Sequence, residues 1–360
     1  MRVLVIKKGC DRSEVAIYKG MVSTGIDLDI IATPETPYQE EFSRAGIRVI
    51  PQTIRNRFDL RAIRKIRALL QSKPYDIIYA PSNHPLAVAL FASSGMAVKN
   101  VGYRGTIGHL SRWDPACRVT YLHTRLDNII CNCNAVREYL LSVDVPAHRL
   151  TTIYKGHDVH WYDESPPADS VDFGVPDGAF LVGFTGNMRP VKGIPVLLES
   201  LRYIPEQIPI YLVCIGRVLD RRIRRLLDDP QIGARAHFTG FIPKASVFAK
   251  TFDCMVMSSI NREGIPRAVV EAMAQDVPVV VTDAGGMPEL VHDGHNGLMV
   301  PANDPSALAN ALVKIYEEPL LRKRLAENAR STIKEKFNIQ TTIAEIIGLF
   351  ERLITSHPEP

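Results

Sequence analysis

Glu263 and Glu271 flank a proline in Glu263-Gly-Ile-Pro-Arg-Ala-Val-Val-Glu271. Pro266 suits a first helical turn, where its missing N–H would be unsatisfied anyway. A helix over 265–275 would leave free N–H groups near Gly264, Ile265 and Arg267, a setting that favours phosphate. Glu271 would then lie about 8 Å along the helix from Pro266. Carboxylates repel phosphate but accept hydrogen bonds from hydroxyls. Hydroxyls on either side of a diphosphate are the layout of a nucleotide sugar. The spacing reads equally well as an acid favouring the helix dipole plus an unrelated surface glutamate.

A second segment, Phe184-Thr-Gly-Asn-Met-Arg-Pro-Val-Lys-Gly193, follows an apolar run and opens a helical pattern. Gly186 and Gly193 permit close backbone approach. Lys192 and Arg189 could neutralise charge that grows on a departing diphosphate. Either cation reads also as a solvated helix-entry residue. The spacing is not that of a phosphate-binding P-loop.

Such residues need a scaffold. Short β-rich runs alternate with helical patterns along the whole chain, which predicts parallel sheets built from βαβ units. The strands expected first are 2–8, 28–32, 48–51, 76–80, 100–104, 128–133 and 151–154. After a Pro-rich break the pattern restarts with 180–185, 210–215, 236–239, 254–258, 277–282 and 297–300. The expected organisation is a first domain over 1–162, a linker over 163–178 and a second domain over 179–337. A closing amphipathic segment, 338–360, is expected to pack back on the first domain. Its Ile339, Ile343, Ile346, Ile347, Phe350 and Leu353 recur near the helical period. Ligands of open parallel sheets bind beyond the carboxyl ends of the strands, so both glutamates and Lys192 stand where chemistry is expected.

The stretch from Glu263 through Ala284-Gly-Gly-Met-Pro-Glu289 and Asp293-Gly-His-Asn-Gly297 closely resembles the signature of glycosyltransferase family 4. That resemblance implies a GT-B fold: α/β, with two Rossmann-like, doubly wound parallel-sheet domains facing a central cleft. It implies a retaining enzyme that moves a sugar from a nucleoside-diphosphate sugar to an acceptor hydroxyl. It places Glu263 by the donor sugar, as the catalytic residue, and Glu271 on the ribose. Gly186, Lys192, Gly264, Ile265 and Pro266 would line the donor's phosphates. Asn187 stands where the family usually has Arg, and Arg189 is the candidate replacement. In Gly240-Phe-Ile-Pro243, Ile242 or Phe241 would lie against the base.

The first domain matches more loosely. Only Gly9 remains of a Gly-rich turn that approaches the donor in the family. Arg104 takes the place of a usual His, and an anionic sugar or acceptor would suit it. His109 could enter the cleft from the same loop or be an ordinary loop histidine. Asp27-Leu-Asp29 has a metal-binding spacing used by another fold but begins a strand here. No metal or other cofactor is expected beyond the nucleotide-sugar co-substrate. Two other readings stay open: an epimerase or phosphorylase on the same fold, and a catalytically silent sugar-nucleotide-binding protein.

Residues 1–160 carry a net charge of +8 and the rest −4, which predicts different partners for the two halves. Segment 54–70 holds six basic residues and one acid. It reads as a solvated outer helix or as a peripheral contact with anionic lipid, which would suit a lipid-linked acceptor as well as a saccharide one. The basic stretch lacks a run of interleaved aromatics, holding Phe58 alone, and matches no known module, so no nucleic-acid partner is expected. No apolar run approaches the ~20 residues of a membrane span. With no disulfide framework or signal segment legible, the expected location is the cytoplasm, at the inner face of the membrane if 54–70 binds there. Cell-surface polysaccharide, lipopolysaccharide or glycolipid synthesis is the expected setting.

Overall fold

A computed structural model describes residues 1–34, 37–111, 113–163 and 173–355. They form two compact units, 1–156 with the helix that begins at Ile339, and 157–338.

The first unit holds a seven-stranded sheet. Its strands are β1 (Arg2–Ile6), β2 (Asp27–Ala32), β3 (Arg48–Pro51), β4 (Ile77–Ala80), β5 (Lys99–Arg104), β6 (Asn128–Cys131) and β7 (Leu150–Thr152). Every pairing is parallel, in the order β3-β2-β1-β4-β5-β6-β7. The second unit holds six strands: β8 (Phe180–Thr185), β9 (Ile210–Ile215), β10 (Ala236–Gly240), β11 (Cys254–Met257), β12 (Val279–Thr282) and β13 (Leu298–Val300). These too are parallel, in the order β10-β9-β8-β11-β12-β13. Strands such as Val3–Ile6 and Val279–Val281 are unbroken apolar runs because helices cover both sheet faces. In each unit the order reverses once, between β1 and β4 and between β8 and β11. Adjacent loops leave in opposite directions at such a switch point, and a crevice opens at the carboxyl ends.

The boundaries differ from those expected. The first unit ends at Gly156, not at 162, because 157–163 is tied into the second unit. The His157 N–H donates to Phe337 O (2.8 Å), Lys250 Nζ to Tyr162 O (2.8 Å) and Arg330 to Asp163 (2.7 Å). Most of the expected linker, 164–172, and the chain end, 356–360, lie outside the described residues. The helix Ile339–Thr355 belongs to the first unit, against the helix Arg12–Ser23. Ile343 occupies the space beside Gly20 that any larger residue would need. Thr342 Oγ1 accepts from the Gly156 N–H (2.9 Å) and donates to Tyr154 O (2.8 Å), which fastens the helix beyond β7.

Asp27 and Asp29 are absorbed by the fold. Asp27 pairs with Arg2 (2.6 Å) and Lys73 (3.4 Å). Asp29 pairs with Lys73 (2.9 Å) and Arg48 (2.8 Å) and accepts from the Tyr75 hydroxyl. Burial pushes the Asp29 carboxyl up, but the bonds from Tyr75, Lys73 and Arg48 outweigh it and hold it below the usual range. A depressed folded-state pKa stabilises the protein above the unfolded value, about 4, and that contribution is lost as pH falls through the folded value. Asp29→Asn should therefore lower stability at neutral pH. In urea unfolding across pH, its gap to wild type should close below about pH 4; a constant gap would mean the charge is not what matters.

Candidate functional site

The sharpest cluster sits at the switch point of the second unit. The loop after β8 rises through Gly186, whose N–H donates to Ile215 O (2.8 Å) at the end of β9. Met188 bridges to Val218, and Pro190–Lys192 forms one tight turn. Two bonds then lock this turn to the end of β11. Ser258 Oγ donates to Lys192 O (3.0 Å), and the Ile260 N–H donates to Val191 O (2.9 Å). Gly193 follows at φ +64°, where a Cβ would stand 1.9 Å from Ser258 O. Only glycine combines that left-handed backbone with such an approach.

The loop after β11 supplies the acid. Lys192 Nζ and Glu263 Oε2 are 2.6 Å apart, and Ser259 Oγ donates to the same oxygen at 2.9 Å. The pair is mostly screened from solvent, with side-chain exposures of 19% and 12%. A charge-assisted bond in such a setting holds both groups firmly. Behind it, the Gly286 N–H donates to Glu263 O (3.1 Å), and a Cβ on Gly285 would lie 1.9 Å from that carbonyl. The loops after β8, β11 and β12 therefore meet on one glutamate. Lys192 and Glu263, separate motifs in the sequence, form one constellation.

The helix after Glu263 is shorter than the 265–275 expected, running from Arg267 to Met273. Pro266 stays extended and acts as the cap, its carbonyl accepting from Val269 and Val270. At the far end the Val277 N–H turns back to Ala272 O, and Asp276 takes φ +59°. Gly264 and Pro266 are buried, Ile265 half-buried. Glu271 lies mid-helix with 16% side-chain exposure, 3.3 Å from Arg267 Nε. Arg189 and Asn187 are both exposed. Among the described residues Arg189 pairs with no carboxylate, unlike Lys192. Ile242 is half-buried, and its neighbour Phe241 is 61% exposed beneath the Arg217 guanidinium (5.2 Å).

Sequence reasoning missed Ser259 and Arg217. Ser259 had a signal, a Ser-Ser pair closing an apolar strand. Arg217 had none, since its relation to Phe241 comes from pairing of β9 with β10.

The remaining expected residues lie in the first unit. Gly9 is exposed after β1, with open space around it. Beyond it Lys155 binds Asp11 (2.6 Å) and Glu14 (3.4 Å), and Lys7 also reaches Glu14. Arg104 is 7% exposed and turns inward. Its guanidinium stacks on Tyr121 (4.9 Å) and donates to Thr106 O (3.0 Å) and Gly108 O. These bonds brace the loop that follows β5. His109 is exposed at φ +61° on that loop.

Comparison with known proteins follows this division. Residues 167–332 match Glycosyl transferases group 1, and residues 9–161 match Glycosyltransferase Family 4. The two matches leave little of the chain uncovered. The chain belongs to glycosyltransferase family 4. The lipopolysaccharide core biosynthesis glycosyltransferase LpsE of Rhizobium meliloti is 27% identical over 258 residues, 71% of this chain and 72% of that protein. An uncharacterized glycosyltransferase of Methanocaldococcus jannaschii, MJ1069, is 25% identical over 64% of this chain. The chain spans 59% of that relative's length and 46% of the putative glycosyltransferase EpsD of Bacillus subtilis. Among solved structures, Anabaena Alr3699/HepE in complex with UDP-glucose superposes with a TM-score of 0.82 at 21% identity, covering 98% of this chain and 100% of that one. A glycosyltransferase from Rickettsia africae gives 0.81 at 17% identity, covering 99% of each. Two parallel α/β units with these neighbours have the GT-B fold. Among the described residues, no helix is long and apolar enough to cross a membrane.

Proposed function

We propose that the protein is a retaining glycosyltransferase that takes a sugar from a nucleoside-diphosphate sugar, and that the donor lies on the second unit at Lys192, Glu263 and Glu271. The observation that carries this is the 2.6 Å contact of Lys192 with Glu263 at the switch point, where three loops converge. As the bond from the anomeric carbon to the diphosphate breaks, its electron pair goes to the phosphate oxygen. Lys192, with Arg189 at the rim, stabilises that charge. Glu263 faces the carbon side, where it orients the sugar and offsets developing positive charge. The acceptor hydroxyl forms the new bond on the same face, and its proton passes to the departing phosphate. Glu271 holds the ribose hydroxyls, and the Phe241–Ile242 loop lies by the base.

HepE with UDP-glucose makes UDP-sugars the first donors to try, and LpsE supports a lipopolysaccharide or related surface glycan as the setting. The acceptor is then a saccharide or lipid-linked hydroxyl, met by the first unit through the loops that carry Gly9, Arg104 and His109. Work in the cytoplasm, beside a membrane when the acceptor is lipid-linked, suits that chemistry. The test is a thermal-shift series with UDP-, GDP-, ADP- and CMP-sugars on wild type and Glu271→Ala. One donor series should raise the Tm of wild type, and Glu271→Ala should lose that rise. No shift with any donor would sink the assignment. NMR of the product anomer checks retention.

A further inference from the structure

We infer that the helix Leu60–Ser72 and the turn before it form a docking face for an anionic lipid surface. The helix carries Arg61, Arg64, Lys65 and Arg67 and no acid. Its neighbour in the sheet layer, the helix Asn83–Ala92, carries no acid either. Ala62, Ile66 and Leu70 are buried against the unit, which leaves Leu60, Arg61, Arg64, Lys65 and Ala68 along the outer arc. Arg67 is used internally, donating to Ala92 O and Ser94 O, and the exposed Lys65 Nζ donates to Pro51 O at 3.3 Å.

Large apolar groups stand out beside this basic arc. Phe58 is 60% exposed and Leu60 61%. The Phe58 ring leans on Phe91 (centroids 5.8 Å apart) with most of its surface still open, and an ordered turn fixes both residues. Asp59 caps the helix through Ala62 N (3.1 Å) and also accepts from Arg55 N (3.1 Å), while the Phe58 N–H donates to Asn56 Oδ1 (2.8 Å). The single acid of the segment is thus occupied by backbone donors, which hold its carboxyl below the usual range. Exposing two large side chains at a rigid corner costs solubility unless something apolar covers them. Cations that flank them select a cover with negative headgroups. A bilayer offers both, with acyl chains for Phe58 and Leu60 and anionic headgroups for Arg55, Arg61, Arg64 and Lys65. A soluble polyanion would satisfy the charges alone.

The experiment needs no donor, so its outcome is independent of the glycosyltransferase reading. The full chain is sedimented with phosphatidylcholine vesicles, pure or with about one third phosphatidylglycerol. Wild type should pellet with the anionic vesicles and stay in solution with the neutral ones. Phe58→Ser with Leu60→Ser, and separately Arg61→Glu with Arg64→Glu, should each weaken binding by about tenfold or more. Circular dichroism checks that both pairs fold. Phe58→Trp should shift its emission to the blue on anionic vesicles only. Equal pelleting with both vesicles, no pelleting, or unchanged binding of the charge-reversed variant would overturn the proposal. So would retention on heparin without pelleting on vesicles.

Discussion

Glu263→Ala should cut turnover by about 10²–10³-fold while leaving the donor's thermal shift largely in place. The expectation follows from position. Glu263 is anchored at three points, by Lys192, by Ser259 and through its carbonyl by Gly286. A carboxylate held this way needs no reorganisation when positive charge develops beside it. In the donor site proposed above, affinity would rest more on the diphosphate and ribose contacts, so binding should outlast turnover. Glu263→Gln separates the two contributions. It keeps the shape and the ability to accept from Ser259 but removes the charge, and it should be nearly as slow as the alanine variant. Near-normal turnover in either variant would remove Glu263 from the chemistry. Loss of the donor shift together with turnover would make it a binding residue instead.

Gly193→Ala should be among the most damaging single methyl groups in the second unit, alongside Gly285→Ala. A non-glycine residue at φ +64° carries strain of about 1–3 kcal/mol. The added carbon would also overlap Ser258 O, a backbone atom that cannot swing aside, and crowd Ile260 Cγ2 at 2.9 Å. The total should exceed about 3 kcal/mol in urea unfolding. Because the displaced carbonyl belongs to the residue that holds Lys192 O, donor binding should fall as well. Gly9→Ala is the control, since a Cβ there meets nothing within 4 Å. It should stay within about 0.5 kcal/mol of wild type. A Gly193→Ala protein of normal stability that still binds donor would show that the two loops can separate without harm.

Much of this was legible in the sequence. β3, β8 and β9 run over the residues expected, and the other ten differ from expectation by a few residues at most. They were readable because strands buried on both faces are uninterrupted apolar runs with polar or glycine ends. The helix after Glu263 was misjudged because a proline looks the same inside a first turn and just outside it. Only the backbone, extended at Pro266, decides. Arg104 illustrates the other limit. An arginine at the end of a strand carries no mark of where its guanidinium turns, and here that depends on loop carbonyls and a tyrosine from elsewhere. The partnership of Lys192 with Glu263 was equally invisible, since 71 residues separate them.

Phe337 and His157 exchange more than a hydrogen bond. His157 also bridges to Asn338, so the second unit starts and stops at the same spot. Topologically it is an insert, placed between Gly156 and Ile339 of a host that is otherwise continuous. An insert whose ends meet can be exchanged for another without stretching its host. A different α/β cassette could occupy the same doorway while the host keeps its own surfaces. The host in turn could be closed by a short linker, because Thr342 already holds Gly156 against the returning helix. Diversification of one half of such a chain need not wait for the other.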